Sequence, residues 1–114
     1  MLANKYKVSE SIIDEKKMIL EGIIDSVSEE KKENIYQLFN EGFSKLDNEM
    51  IRTIEVFFSC GLNLSDAAKE LYIHRNTLIY RLDKIEKYTA YDIRNFNNAV
   101  LFKVVFFIWK EKNK

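Results

Sequence analysis

A chain of 114 residues that is 46% hydrophobic and 13% aromatic has enough apolar material to bury one core, which excludes a disordered tail. With no proline and three glycines, tight hairpins are disfavoured and long uninterrupted elements are expected, so the predicted fold class is all-α. The formal net charge is zero, yet residues 1–50 carry seven Lys/Arg and eleven Asp/Glu while residues 51–114 carry eleven and seven, so any polyanion would meet the second half.

The first helical run is "SIIDEKKMILEGIIDSV", in which Ile12, Ile13, Ile19, Leu20, Ile23, Ile24 and Val27 recur at helical spacing and form a free apolar face. Ser28, followed by Glu29 and Glu30, reads as the N-cap of a second helix whose stripe is Ile35, Leu38, Phe39 and Phe43. Asp47 can cap a third, with Met50, Ile51, Ile54, Phe57 and Phe58 inward and Gly61 as its stop. No linker or repeat interrupts this order. The expected organisation is therefore an N-terminal helical extension over 1–45, which packs on or pairs the domain, and a domain over 46–114.

Asn63 or Ser65 caps a short fourth helix through Leu71, and Tyr72-Ile73-His74 forms a break. A fifth helix runs from about Arg75 to Tyr88, with Leu78, Leu82 and Ile85 as its buried stripe. On a helical wheel Asn76, Tyr80, Asp83 and Lys87 then point away from the core, with Thr77, Arg81 and Lys84 to one side. A last helix, about Asn98 to Glu111, is apolar nearly all round. Its aromatic stripe, Phe102, Phe106, Phe107 and Trp109, fits a core position or a homodimer contact.

Chemistry concentrates at the break. Ala67 and Ala68 are small enough for two helices to cross closely, which pushes the start of the fifth helix out from the body. Arg75, Asn76 and Thr77 are suited to base edges there: Arg can be bidentate to guanine, Asn bidentate to adenine, and a Thr methyl can touch the thymine methyl. The free amides of a helix start also favour a phosphate. The same residues could instead be ordinary capping and solvated side chains.

"GLNLSDAAKELYIHRNTLIYRLDKIEKYTAYDIRN", with the preceding "LDNEMIRTIEVFF", resembles the C-terminal helix-turn-helix domain of PucR-type transcription regulators, the group that includes purine-catabolism and sugar-diacid regulators. The resemblance covers about Leu46 to Trp109. It implies a sequence-specific domain for double-stranded DNA, with Ser65 to Tyr72 as supporting helix and Arg75 to Tyr88 as recognition helix in the major groove. It also implies an effector ligand held by a separate sensory domain. Arg75, Asn76 and Thr77 are the expected base contacts, and His74, Tyr80, Arg81 and Lys84 the expected phosphate contacts. His74 could alternatively cap the helix, and Tyr80 could pack on the body. Three positions depart from the family pattern: Ala90-Tyr91 stands in place of Gly-Leu, Ile79 in place of a basic residue, and Tyr72 at a turn where many helix-turn-helix proteins prefer Gly.

Other functions find little support. One cysteine and one histidine cannot build a disulfide or a metal cluster, and Cys60 reads as a small buried residue. There is no Gly-rich phosphate loop and no base beside an orienting partner, so an enzyme is not expected, nor a cofactor. The N-terminus lacks the apolar stretch of a secretory signal, and the run Ala99 to Trp109 is far short of the ~20 residues a membrane span needs. The expected location is cytoplasmic, and the expected state a homodimer, because one recognition helix reads few base pairs. The rival reading is a helical protein-interaction module that does not bind DNA.

Overall fold

A computed structural model describes residues 15–114. Among the described residues every regular element is helical. Helix α1 covers 15–25, and it is followed by α2 (Glu29–Phe43), α3 (Asn48–Ser59), α4 (Leu64–Leu71), α5 (Arg75–Thr89) and α6 (Phe96–Lys112). The chain divides into two compact units between Asn34 and Ile35.

In the first unit α1 leaves Ile19 and Ile23 more than half exposed, in keeping with the free apolar face read from the spacing, while Ile24 is buried. Ile12 and Ile13 of that stripe lie outside the described residues. Ser28 caps the next helix as its position implied, its hydroxyl accepting from the Lys31 amide at 3.2 Å.

The second unit begins at Ile35 and takes in the C-terminal half of α2 together with α3 to α6. Its centre is aromatic. Phe43 stacks on Phe102 with ring centroids 5.2 Å apart and meets Trp109 edge-on at 5.9 Å. Each such ring, fully buried, contributes about 1.5–3 kcal/mol through water exclusion alone. Phe102, Phe106 and Trp109 are buried here, so these three belong to the core and not to a pairing surface; Phe107 is half-buried. The Trp109 indole, which would be costly to bury unpaired, donates to the Asn40 side-chain oxygen at 3.0 Å.

Two expectations fail. Leu38, placed in the α2 stripe by its spacing, is 77% exposed, because the helix presents a narrower face built on Ile35, Phe39 and Phe43. Cys60 is half-buried where full burial was expected; burial, with Glu70 and Asp66 nearby, pushes its thiol up from the ordinary value.

Local signals explain the helix ends. Asp47, Asn63 and Asn95 each accept a hydrogen bond from the amide three residues on, at 2.8, 2.9 and 3.1 Å. These caps fix the starts of α3, α4 and α6. Gly42 lets α2 approach the end of α5 so closely that an added Cβ would run into the Tyr88 carbonyl. A backbone obstacle cannot rotate away, so glycine is required there.

Candidate nucleic-acid interface

Helices α3, α4 and α5 form the helix-turn-helix. Ala67 and Ala68 are buried on α4, which brings α5 close, as their size predicted. On α5, Leu78, Leu82 and Ile85 are essentially inaccessible, so one face is fixed into the core. The opposite face and the first turn are thereby forced outward.

The start of α5 differs from the other helix starts after α1. His74 stands at the N-cap position without a side-chain cap hydrogen bond, whereas Ser28, Asp47, Asn63 and Asn95 cap theirs; the first turn of α5, like that of α6, holds no acid. The first intrahelical bond runs from the Leu78 amide to the His74 carbonyl at 3.1 Å, leaving the amides of Arg75, Asn76 and Thr77 without a side-chain acceptor. Those amides and the helix dipole make a site for an anion. His74, Arg75, Asn76 and Thr77 are all exposed, and Arg75 has no ion-pair partner among the described residues.

One turn on, Tyr80 is 64% exposed and shares the face of Asn76. Lys84 is half-buried, its ammonium 5.9 Å from the ring centroids of both Tyr80 and Tyr88, so the aromatic rings help to hold its charge at this surface. Arg81 is turned the other way. Its guanidinium donates to the Thr53 hydroxyl at 3.2 Å and pairs with Glu49 at 3.4 Å, both on α3, and only 17% of the side chain is exposed. The structure thus brings His74, Arg75, Asn76, Thr77, Tyr80 and Lys84 to accessible positions on α5, and sets Arg81 into the contact between α5 and α3.

Two features were invisible in the sequence. Thr53 is fully buried on an otherwise apolar stripe, its hydroxyl donating to the Glu49 carbonyl while accepting from Arg81. A lone hydroxyl on such a stripe is the one signal that could have marked it. Arg94 gathers Asp92, Asp83 and Glu86 at 2.6, 2.8 and 3.4 Å, tying the turn after α5 back to that helix. Asp83 therefore lies outward yet engaged. Partial burial works to raise the Asp92 carboxyl, but hydrogen bonds from the Arg94 side chain and amide outweigh it and hold it below the ordinary carboxylate range. The hydrogen bond to Asp92 in turn raises Arg94 further.

Residues 50–106 match the family model described as the PucR C-terminal helix-turn-helix domain. The purine catabolism regulatory protein of Bacillus subtilis is 44% identical over 41 residues, 36% of this chain and 8% of that protein. The DNA-binding transcriptional activator AdeR of the same organism is 33% identical over 81 residues, 65% of this chain and 19% of that protein. The chain thus spans a fifth or less of the length of these two relatives. Among solved structures, the regulator of polyketide synthase expression from Bifidobacterium adolescentis has a similar fold, with a TM-score of 0.63 and 24% identity, over 73% of this chain and 35% of that one. No helix among the described residues is long and apolar enough to cross a membrane.

Proposed function

The chain belongs to the PucR C-terminal helix-turn-helix domain family, and on that premise we propose that it binds double-stranded DNA sequence-specifically as part of a transcription regulator, with α5 as recognition helix in the major groove. The observation that carries this reading is the exposed, uncapped start of α5, where His74, Arg75, Asn76 and Thr77 are all accessible and the first amides have no side-chain acceptor. Arg75, Asn76 and Thr77 read base edges there. His74, Tyr80 and Lys84 hold phosphates and set the register of the helix on the duplex. Arg81 is assigned the positioning of α5 against α3, since its guanidinium meets Thr53 and Glu49.

A homodimer follows from the same proposal, since two copies of α5 would double the number of bases read. The exposed Phe96, Val100 and Leu101 on α6 supply an apolar face for the pairing. Effector recognition is assigned to a separate sensory domain, and the site of action to the cytoplasm.

Fluorescence anisotropy of labelled genomic duplex fragments, titrated with the wild type and an Arg75→Ala/Asn76→Ala variant at two salt concentrations, tests the reading. The wild type should bind with strong salt dependence, and the variant should lose its preference among fragments while keeping weak general affinity. Failure of the folded wild type to bind at low salt would overturn it and favour a protein-interaction module.

A further inference from the structure

Helices α3 and α4 end in the same hydrogen-bonded turn and fill it with opposite residues. After α3, the Gly61 amide donates to the Phe58 carbonyl and the Leu62 amide to the Phe57 carbonyl, both at 3.0 Å. After α4, the Tyr72 amide donates to the Lys69 carbonyl at 3.1 Å and the Ile73 amide to the Ala68 carbonyl at 3.0 Å. This paired arrangement is the Schellman motif, whose hinge residue is left-handed and usually glycine. Gly61 meets that requirement at φ 64°, whereas Tyr72 adopts φ 57° and ψ 43° with a Cβ that makes the conformation strained.

Beyond the backbone hydrogen bonds of the turn, no side-chain hydrogen bond or ring contact of Tyr72 among the described residues offsets its strain. Leu62 is also left-handed, at φ 65°, but its side chain packs against the core; Ala90, at φ 69°, carries only a methyl group. The side chain of Tyr72 is 93% exposed, and its hydroxyl makes no hydrogen bond among the described residues. Glycine would serve the turn better, so the ring serves something outside the fold. In the sequence it stands two residues before His74 and three before Arg75, where α5 starts with no side-chain cap and with an Arg75 that has no ion-pair partner among the described residues. That surroundings attract anions, and a phenol is a hydrogen-bond donor on a side chain with only two torsions to fix.

We propose that Tyr72 is a DNA-backbone contact, its hydroxyl donating to a phosphate oxygen next to the one held by the start of α5. The inference rests on the DNA-binding reading above and adds a residue to it. Its signature is an opposition of sign: the turn would be more stable without the ring, and the complex less so.

The full chain as wild type, Tyr72→Gly, Tyr72→Phe and Arg75→Ala/Asn76→Ala would be titrated against one labelled mixed-sequence duplex at low salt, with thermal melting followed by circular dichroism. Tyr72→Gly should raise Tm by roughly 3–6 °C as the left-handed strain is relieved. The same variant should bind the duplex about tenfold more weakly, the loss expected for a hydrogen bond to a charged group. Tyr72→Phe should leave Tm in place and show most of that loss. Wild-type affinity in Tyr72→Phe would overturn the phosphate contact, and wild-type affinity in both variants would remove the ring from DNA binding altogether. A fall in Tm for Tyr72→Gly would make the tyrosine a structural residue and overturn the inference from the other side. Absence of binding by the folded wild type at low salt would defeat the parent reading, whereas binding by the wild type with unchanged affinity in Tyr72→Phe would defeat this inference alone.

Discussion

The two ends of α5 are built on opposite terms. Its first turn, His74 to Thr77, is exposed, uncapped and free of ion pairs among the described residues, while from Leu78 onward the helix is fixed by Leu78, Leu82 and Ile85 in the core. Arg81 on α3 and Arg94 on Asp83 and Glu86 hold the same half from two sides. The contrast separates two tasks that one helix has to perform. A side chain that must meet a ligand cannot also be committed to its neighbours, and a helix that presents such side chains must be held rigidly somewhere else.

Truncation in the held half should break the contrast most severely. Leu82→Ala removes a side chain that is 1% exposed and should cost about 2–5 kcal/mol of stability, read from urea unfolding. DNA affinity measured at a temperature where the variant remains folded should change far less than its stability.

Arg81→Ala sharpens the comparison, because the residue was expected at a phosphate and is found against α3. It leaves the buried Thr53 hydroxyl without its Arg81 donor and should cost about 1–3 kcal/mol. The salt dependence of DNA binding should keep its slope, whereas loss of a true phosphate contact would reduce it by about 0.9. A reduced slope with unchanged stability would return Arg81 to the phosphate contacts.

The ionic clamp at the end of α5 should show in the acid limb of stability. Asp92 has a folded-state pKa below its unfolded value, so its contribution is fully present above the ordinary carboxylate value of about 4 and is lost as pH falls through the folded value. Asp92→Asn should therefore flatten the fall in Tm below about pH 4, and leave the start of α5 untouched. An unchanged acid limb in Asp92→Asn would mean that the clamp contributes nothing measurable.

The smallest stability effect belongs to the free end. Arg75→Ala and Asn76→Ala should each alter stability by less than about 0.5 kcal/mol, as substitutions at exposed positions without partners do. A larger loss in either would show that the first turn is held by contacts of its own, and the two ends of α5 would no longer differ in kind.

Helix positions were legible because caps and apolar spacing are local. Asp47 and Asn63 act at the ends where their side chains place them, and Leu78, Leu82 and Ile85 lie on one face at any depth of burial. The exposed group at 74–77 was legible for the same reason: the stripe that fixes one face of α5 turns the first turn outward. The exposure of Leu38 and the contacts of Arg81 were not legible because each depends on a neighbour distant in sequence. A helical wheel gives the direction of a side chain but not what lies beside it, and Arg81 lies beside Thr53, 28 residues away.

By itself, then, the sequence determined an all-α chain, the order of its helices, the family it resembles and the polar group at the start of α5. These rest on interactions within a few residues, whose energies a short window of sequence contains. Only the tertiary structure decided which cation is committed to α3, that Arg94 gathers three carboxylates, and that Phe43 joins α2 to the aromatic core. It also separated Tyr72 from Gly61, since strain and exposure at two chemically similar turns depend on what surrounds each ring or hydrogen once the chain has folded.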